Sequence, residues 1–348
     1  MIDFYATAPQ YLDHLAPVWN ALPAAERGAF VLAPMPHYGV TTPALAERAA
    51  RLGIAVTTDL PPDDRPIVVA AVGNLKRTRK LGRTRAALME HGAGQSYGGD
   101  PNAALNSSYP GGRGRQASLF LSPNGHAAAR DAAAYPLAQV AVVGCPKLDT
   151  LPAPGPRAER PVVAISVHWD CMVCAETRSA WRAFRNGFAR LAAEGRYRFL
   201  GHGHPRIIAE LAREYRAMRI ELVTDFEEVV RRADVYLIDN SSTMFEAAAA
   251  GLPIVALEPS YYRRSVDHGL RFWDAAGVGI PVRSRGSYDT SLSKKLNAAI
   301  EEALADPPER KAAREAALDI VYAFRTGAAD RTAEVIGTWA TAGQAVAA

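Results

Sequence analysis

The sequence predicts two doubly wound α/β domains, joined by a short linker and closed by a C-terminal helix that returns to the first. At 348 residues the chain exceeds the usual span of one domain and suits two. Short apolar runs rich in Val and Ile alternate with longer stretches of helical period, the pattern of βα units around parallel sheets. A proline-dense stretch near the middle interrupts the alternation, which then starts again.

In residues 1–150 the strand candidates are Phe30 to Pro34, Ile54 to Thr58, Ile67 to Val72, Leu88 to His91, Ser118 to Leu121 and Val140 to Gly144. Ala-rich stretches from Thr42 to Leu52 and from Gly125 to Ala134 read as helices between them. Residues 151–160 hold Pro152, Pro154 and Pro156 and form the linker. In residues 161–325 the alternation runs through strands at Val162 to His168, Arg198 to His202, Ile220 to Val223, Val235 to Asp239 and Ile254 to Leu257. Helices are expected from Glu176 to Glu194 and from Arg206. After Ser291 the chain is helical in character, broken at Asp306-Pro307-Pro308, and residues 326–348 form the returning tail. Two such domains facing one another make a cleft at the carboxyl ends of both sheets, where ligands of doubly wound folds bind.

Composition narrows the function. Hydrophobic residues make up 49% of the chain and charged ones 22%, which fits a globular protein and excludes a collagen-like or disordered one. No run approaches the ~20 apolar residues of a membrane span. The opening Met1-Ile2-Asp3-Phe4 puts an acid where a secretory signal carries bases. Three cysteines make a disulfide framework improbable, so a cytoplasmic protein is expected. The net charge is only +4, but Lys76 to Arg85 packs six bases into ten residues without an acid, a block suited to an anionic partner or to a solvated face.

Three segments could carry chemistry. Asp239-Asn240-Ser241-Ser242-Thr243 closes a strand where a helix should begin, so Ser241, Ser242 and Thr243 either cap that helix or present donors to a phosphate. Gly201-His202-Gly203-His204-Pro205-Arg206 ends another strand, and His204 with Arg206 suits a pyrophosphate, while His202 reads as structural. Met89-Glu90-His91-Gly92 ends a strand of the first domain. His91 there is either a structural histidine or a general base for a reacting hydroxyl. The stretch from Gly92 to Gln116 is long and rich in Gly, Asn and Ser, the kind of loop that is often functional. His168, Cys171 and Cys174 have H-x2-C-x2-C spacing, but no second ligand pair accompanies it, so a zinc site is the lesser reading. No phosphate-binding P-loop, nucleophile elbow or HExxH helix occurs.

In order and spacing these pieces resemble the CDP-glycerol glycerophosphotransferases, the teichoic acid polymerase-like family of the GT-B glycosyltransferase superfamily. The resemblance runs from about Leu88 to Ile336. It rests on Glu90-His91-Gly92, Val143-Gly144-Cys145-Pro146-Lys147-Leu148-Asp149, His204-Pro205, Asp234 to Phe245, Gly251-Leu252-Pro253, Arg264 to Phe272 and Thr326 to Arg331. It implies a GT-B fold of two Rossmann-like domains. It also implies His91 as catalytic base, a donor site with His204 and Ser241-Ser242 on the phosphates, and Glu246 near the donor's ribose or sugar. Arg206, Asn240 and Thr243 fall in the same donor segments. Glu90 stands where the family usually has Trp, Asn240 where it has Tyr, and Ala-Gly-Gln-Ser-Tyr follows His91 in place of a lysine-bearing stretch. Acceptor choice is therefore expected to differ, with Gln95, Tyr97, Arg79, Arg83 and Arg113 as acceptor-side candidates.

The expected activity is transfer of a glycosyl or glycerophosphoryl group from a nucleotide-activated donor to a hydroxyl of an anionic or polymeric acceptor, with no metal or other cofactor implied. Hydroxymethylated pyrimidines in DNA are one acceptor the basic block would suit, with affinity falling steeply in salt. Related readings are a nucleotide-sugar epimerase and a nucleotide-binding module without turnover.

Overall fold

The computed structural model describes residues 1–33, 41–61, 64–93, 114–171, 178–262, 276–286 and 288–342. Gln95, Tyr97, Arg113, Cys174 and the whole Arg264 to Phe272 segment lie outside them. The chain divides into two compact units, the first holding Met1–Thr150 and the stretch from Ile320, the second running from Leu151 to Asp319.

The first unit begins with β1 (Ile2–Ala6), α1 (Pro9–Ala21), β2 (Arg27–Leu32) and α2 (Thr42–Arg51). It continues through β3 (Ile67–Val69), α3 (Val72–Lys80), β4 (Ala86–Met89), β5 (Leu119–Ser122), α4 (Gly125–Ala134) and β6 (Gln139–Val142). Among the described residues the strands form one parallel sheet in the order β2-β1-β3-β4-β5-β6. The predicted strand at Ile54 to Thr58 is reduced to a single parallel bridge, Thr57 to Val31, beside β2. Both faces are covered, as a parallel sheet requires. Phe4, Phe30 and Met89 pack under α1 and α2, whereas Tyr5, Val69, Leu88 and Phe120 pack with Leu75 of α3 and Tyr135 at the end of α4.

The second unit contains β7 (Val162–Ser166), α5 (Trp181–Glu194), β8 (Arg198–Gly201), α6 (Ile208–Ala217), β9 (Glu221–Leu222) and α7 (Phe226–Arg232). Then come β10 (Val235–Ile238), α8 (Thr243–Ala249), β11 (Ile254–Pro259), β12 (Ile280–Ser284) and α9 (Leu292–Ala305). Its parallel sheet has the order β12-β11-β10-β7-β8-β9. Phe184, Phe188 and Leu191 of α5 and Leu296 and Ile300 of α9 bury one face. Gly187 lets the two helices close up, since a Cβ there would stand 2.9 Å from Leu296 and 3.0 Å from Leu292.

Residues 151–160 hold neither helix nor strand, and Gly155 donates to the carbonyl of Arg231, which ties the stretch to the second unit. The chain rejoins the first unit from Ile320, near the end of α10 (Pro308–Val321), six residues before the return expected at 326. The cause is local: Asn124 donates to the carbonyl of Val321 at 2.7 Å, and Ala323 donates to that of Pro123 at 3.0 Å. α11 (Ala328–Ala342) then packs Ala333, Ile336 and Trp339 into the core beneath α1. Among the described residues no helix is long and apolar enough to cross a membrane.

Candidate functional site

In the second unit the connections run outward in both directions from β7 and β10, so the carboxyl ends of these two strands flank the point where strand order reverses. Such a point opens a crevice in doubly wound sheets and is their usual ligand site. His168 and Trp169 follow β7 there, and Asp239 to Thr243 follow β10. Asp239, 1% exposed, locks the crevice by accepting from the backbone N–H of His168 (2.9 and 3.0 Å) and of Ala180 (3.0 Å). A buried carboxylate held by several N–H groups is a strong tie, because each bond is charge-assisted.

His204 and Arg206, after β8, join this crevice. The rings of His168 and His204 lie 5.2 Å apart and nearly perpendicular, and the Arg206 guanidinium sits 4.3 Å over the Trp169 ring. Hydrogen bonding assigns the tautomers. The backbone N–H of Arg206 donates to His204 Nδ1 at 3.1 Å, so the neutral ring carries its proton on Nε2. His168 Nδ1 donates to the carbonyl of Trp169 at 2.9 Å, so that ring carries its proton on Nδ1. Two half-buried imidazoles of opposite tautomer and a stacked guanidinium suit an anionic ligand carrying both donors and acceptors. His202 takes the structural role, with Nδ1 3.0 Å from Ser166 Oγ and its carbonyl accepting from Tyr215.

Ser241, Ser242 and Thr243 are half-buried, and Ser242, at the N-cap of α8, makes no side-chain capping bond. Thr243 donates to Ser241 Oγ at 3.1 Å and lies 3.2 Å from the Tyr236 hydroxyl, so the hydroxyls form a short chain at the end of β10. Burial raises the Tyr236 phenol well above its ordinary range, which keeps it a neutral partner in that chain. Two of the expected donor residues are buried. Asn240 is 1% exposed and its amide donates to the carbonyl of Arg178 (3.2 Å) and to the Tyr262 hydroxyl (3.1 Å), so it braces the crevice wall. Glu246 is likewise 1% exposed, in a stretch of α8 that is buried from Met244 to Ala248.

In the first unit His91 follows β4 and is exposed, with Gly92 at φ 100° turning the chain behind it. The Tyr11 ring stands edge-on at 5.0 Å and the His14 ring at 6.3 Å, both from α1. His14 is buried and its Nδ1 lies 3.8 Å from Cys145 Sγ. Beside His91, Glu90 pairs with Arg115, whose guanidinium also lies 3.4 Å from Asp131. Burial and the neighbouring Glu90 charge push the Asp131 carboxyl up to about 7. Asn124 caps α4 by accepting from Ala127 at 2.8 Å and donates to the carbonyl of Ala93 at 3.1 Å, which fixes the turn after His91.

The basic block divides. Arg83 is 2% exposed and donates to Asp3 at 2.6 Å and to the carbonyls of Pro61 and Arg65, so it is a core ion pair and not an acceptor contact. Arg85 donates to the carbonyls of Trp339 and Ala340 on α11. Arg79 is exposed and bonds the carbonyl of Gln116. It lies in the last turn of α3, at the sheet edge opposite His91, because a helix between parallel strands runs antiparallel to them. Among the described residues no group of three or more metal-ligating side chains occurs.

The sequence assigned no site role to Trp169, Asp239, Asn124 or the Glu90–Arg115–Asp131 cluster. His168 and Asp239 ended predicted strands, and that position was the available signal.

No protein-family model matches this sequence, and no curated protein matches it. Solved structures do resemble it. A structure of S. aureus MnaA with UDP has TM-score 0.63 and 13% identity, covering 94% of this chain and 93% of that one. The UDP-GlcNAc 2-epimerase from Neisseria meningitidis bound to UDP-GlcNAc has TM-score 0.57 and 12% identity over 96% and 98%. The wall teichoic acid polymerase TagF has TM-score 0.57 and 12% identity over 98% and 89%. At such identities the likeness is one of fold: the chain has the two-domain α/β architecture of the GT-B type.

Proposed function

We propose that this chain is a GT-B enzyme that holds a nucleoside-diphosphate-activated donor in its second unit and moves the donor's glycosyl or glycerophosphoryl group to an acceptor hydroxyl. The observation that carries the reading is the convergence of His168, His204, Arg206 and the Ser241–Thr243 hydroxyls on the strand-order reversal of the second sheet. A pyrophosphate would take charge from Arg206 and a hydrogen bond from His204 Nε2–H, and those contacts strengthen as the leaving phosphate gains charge. His91, exposed at a strand end of the first unit, is the base that would remove the hydroxyl proton. The chemistry needs no metal, and a cytoplasmic supply of nucleotide donors suits it.

A nucleotide-sugar epimerase is the second reading, favoured by the near full-length likeness to the Neisseria meningitidis epimerase. It would use the same nucleotide site and no macromolecular acceptor.

Thermal stabilisation by CDP, UDP, GDP, CDP-glycerol and UDP-GlcNAc tests the donor site, because a ligand of the folded state alone raises its stability. At a ligand concentration of 100 times Kd the gain is about 2.7 kcal/mol, and His204→Ala should lower the shift for every ligand that produces one. His91→Ala should leave the shift intact while abolishing turnover. No shift with any nucleotide would sink the proposal. Conversion of UDP-GlcNAc to its C2 epimer without acceptor would select the second reading.

A further inference from the structure

The carboxyl end of α3 and the turn after α4 share one edge of the first sheet, where β4 and β6 begin, and both helices cover the same face. That edge is opposite His91. Four cations of α3, Lys76, Arg77, Arg79 and Lys80, are exposed, and neither helix carries an exposed acid. The same edge carries two exposed leucines. Leu81 is 57% exposed and Leu137 102% exposed, each in the turn that follows its helix. Solvated arginines and lysines need no explanation, but paired with outward leucines they match a surface that is anionic outside and apolar beneath.

We propose that this edge docks onto an anionic lipid surface, with Leu81 and Leu137 entering the acyl boundary and Lys76, Arg77, Arg79 and Lys80 meeting the headgroups. Lys76 stands one turn behind Lys80, about 6 Å along the axis, within reach of the headgroup layer by its flexible stem. A nucleic acid would satisfy the cations equally but would leave both leucines in water, so lipid accounts for more of the surface. Docking here leaves the carboxyl edge of the sheet, with His91, directed away from the lipid. The inference rests on charge and exposure and does not depend on the donor chemistry.

Co-sedimentation of the purified chain with vesicles of phosphatidylcholine, and of an equimolar mixture with phosphatidylglycerol, tests it. Binding should require phosphatidylglycerol and weaken with salt. Arg77→Gln with Lys80→Gln should weaken it by about fivefold for each charge removed. Leu81→Ser with Leu137→Ser should weaken it by about tenfold or more while changing the melting temperature little, since Leu137 is fully in water and Leu81 mostly so. Absence of binding to the anionic vesicles overturns the proposal, as does binding indifferent to the leucine pair. Tighter binding to duplex DNA than to vesicles, indifferent to the leucines, would assign the edge to nucleic acid instead.

Discussion

Two arginines of one basic block show what a sequence hides. Arg83 and Arg79 are four positions apart in a run that reads alike throughout, as a surface for an anionic partner or a solvated face. Yet Arg83 is a core residue paired with Asp3, which is itself fully buried and also accepts from Ala29 at 2.7 Å. The partner is eighty positions away, on β1, so no local pattern announces it. Removing Arg83 would leave the buried carboxylate with only the longer 3.9 Å contact to the partly exposed Arg65, which costs far more than losing a surface pair. Arg83→Ala should therefore lower the stability of the first unit by about 3–5 kcal/mol in urea unfolding. Asp3→Asn combined with Arg83→Met should recover a large part of that loss, because the uncompensated charge is then gone. Equal losses in the single and double variants would show that packing, not charge, is what Arg83 supplies. The His168 imidazole was hidden differently: it was legible as a strand-end residue, but its meeting with His204 depends on β7 and β8 being neighbours in register.

Buried parallel strands were the most legible elements, since a strand covered on both faces is apolar at every position and stands out between polar turns. β7, β8 and β10 fall where the sequence placed them. β1 and α1 were not foreseen, because Asp3 interrupts the first strand, while Pro9 and Pro17 disguise the helix. Pro9 is in fact tolerated at the first turn, where its missing N–H costs nothing. α3 was concealed by its own charge. The join between β6 and the returning segment is set by a glycine: Gly144 has φ 83°, and a Cβ there would lie 2.5 Å from the carbonyl oxygen of Phe324. Gly144→Ala adds a left-handed backbone cost of roughly 1–2 kcal/mol to an overpacking cost of about 1–3 kcal/mol. Neither can relax without moving the segment that carries α11. Limited proteolysis should then cut the chain near residues 323–327 sooner than in the parent, before either core opens. A Gly144→Ala chain cut no sooner there would show that α11 stays in place without this contact.

The two units have separate cores: Phe4, Phe30, Met89 and Ile336 belong to one, and Phe184, Phe188, Leu237 and Ile300 to the other. The proline-rich stretch made that division readable, whereas the return at Ile320 was not, because it depends on Asn124 reaching the carbonyl of Val321. Separate cores imply two unfolding transitions in calorimetry rather than one. Each has its own handle. A nucleotide that occupies the second unit should raise that transition alone. The first unit carries the pH handle, since Glu90, Arg115 and Asp131 all lie in it. The Asp131 carboxyl rises from 3.8 to about 7 on folding, so the folded state binds its proton more tightly than the unfolded state. Its contribution to stability is thus complete below about pH 4 and is lost as pH climbs through 7. The first unit's transition should fall in temperature across that window while the other is untouched by this group. Asp131→Asn, which keeps an acceptor for Arg115 but cannot ionise, should flatten the fall. An unchanged slope in that variant would place the proton elsewhere in the cluster and refute the assignment to Asp131.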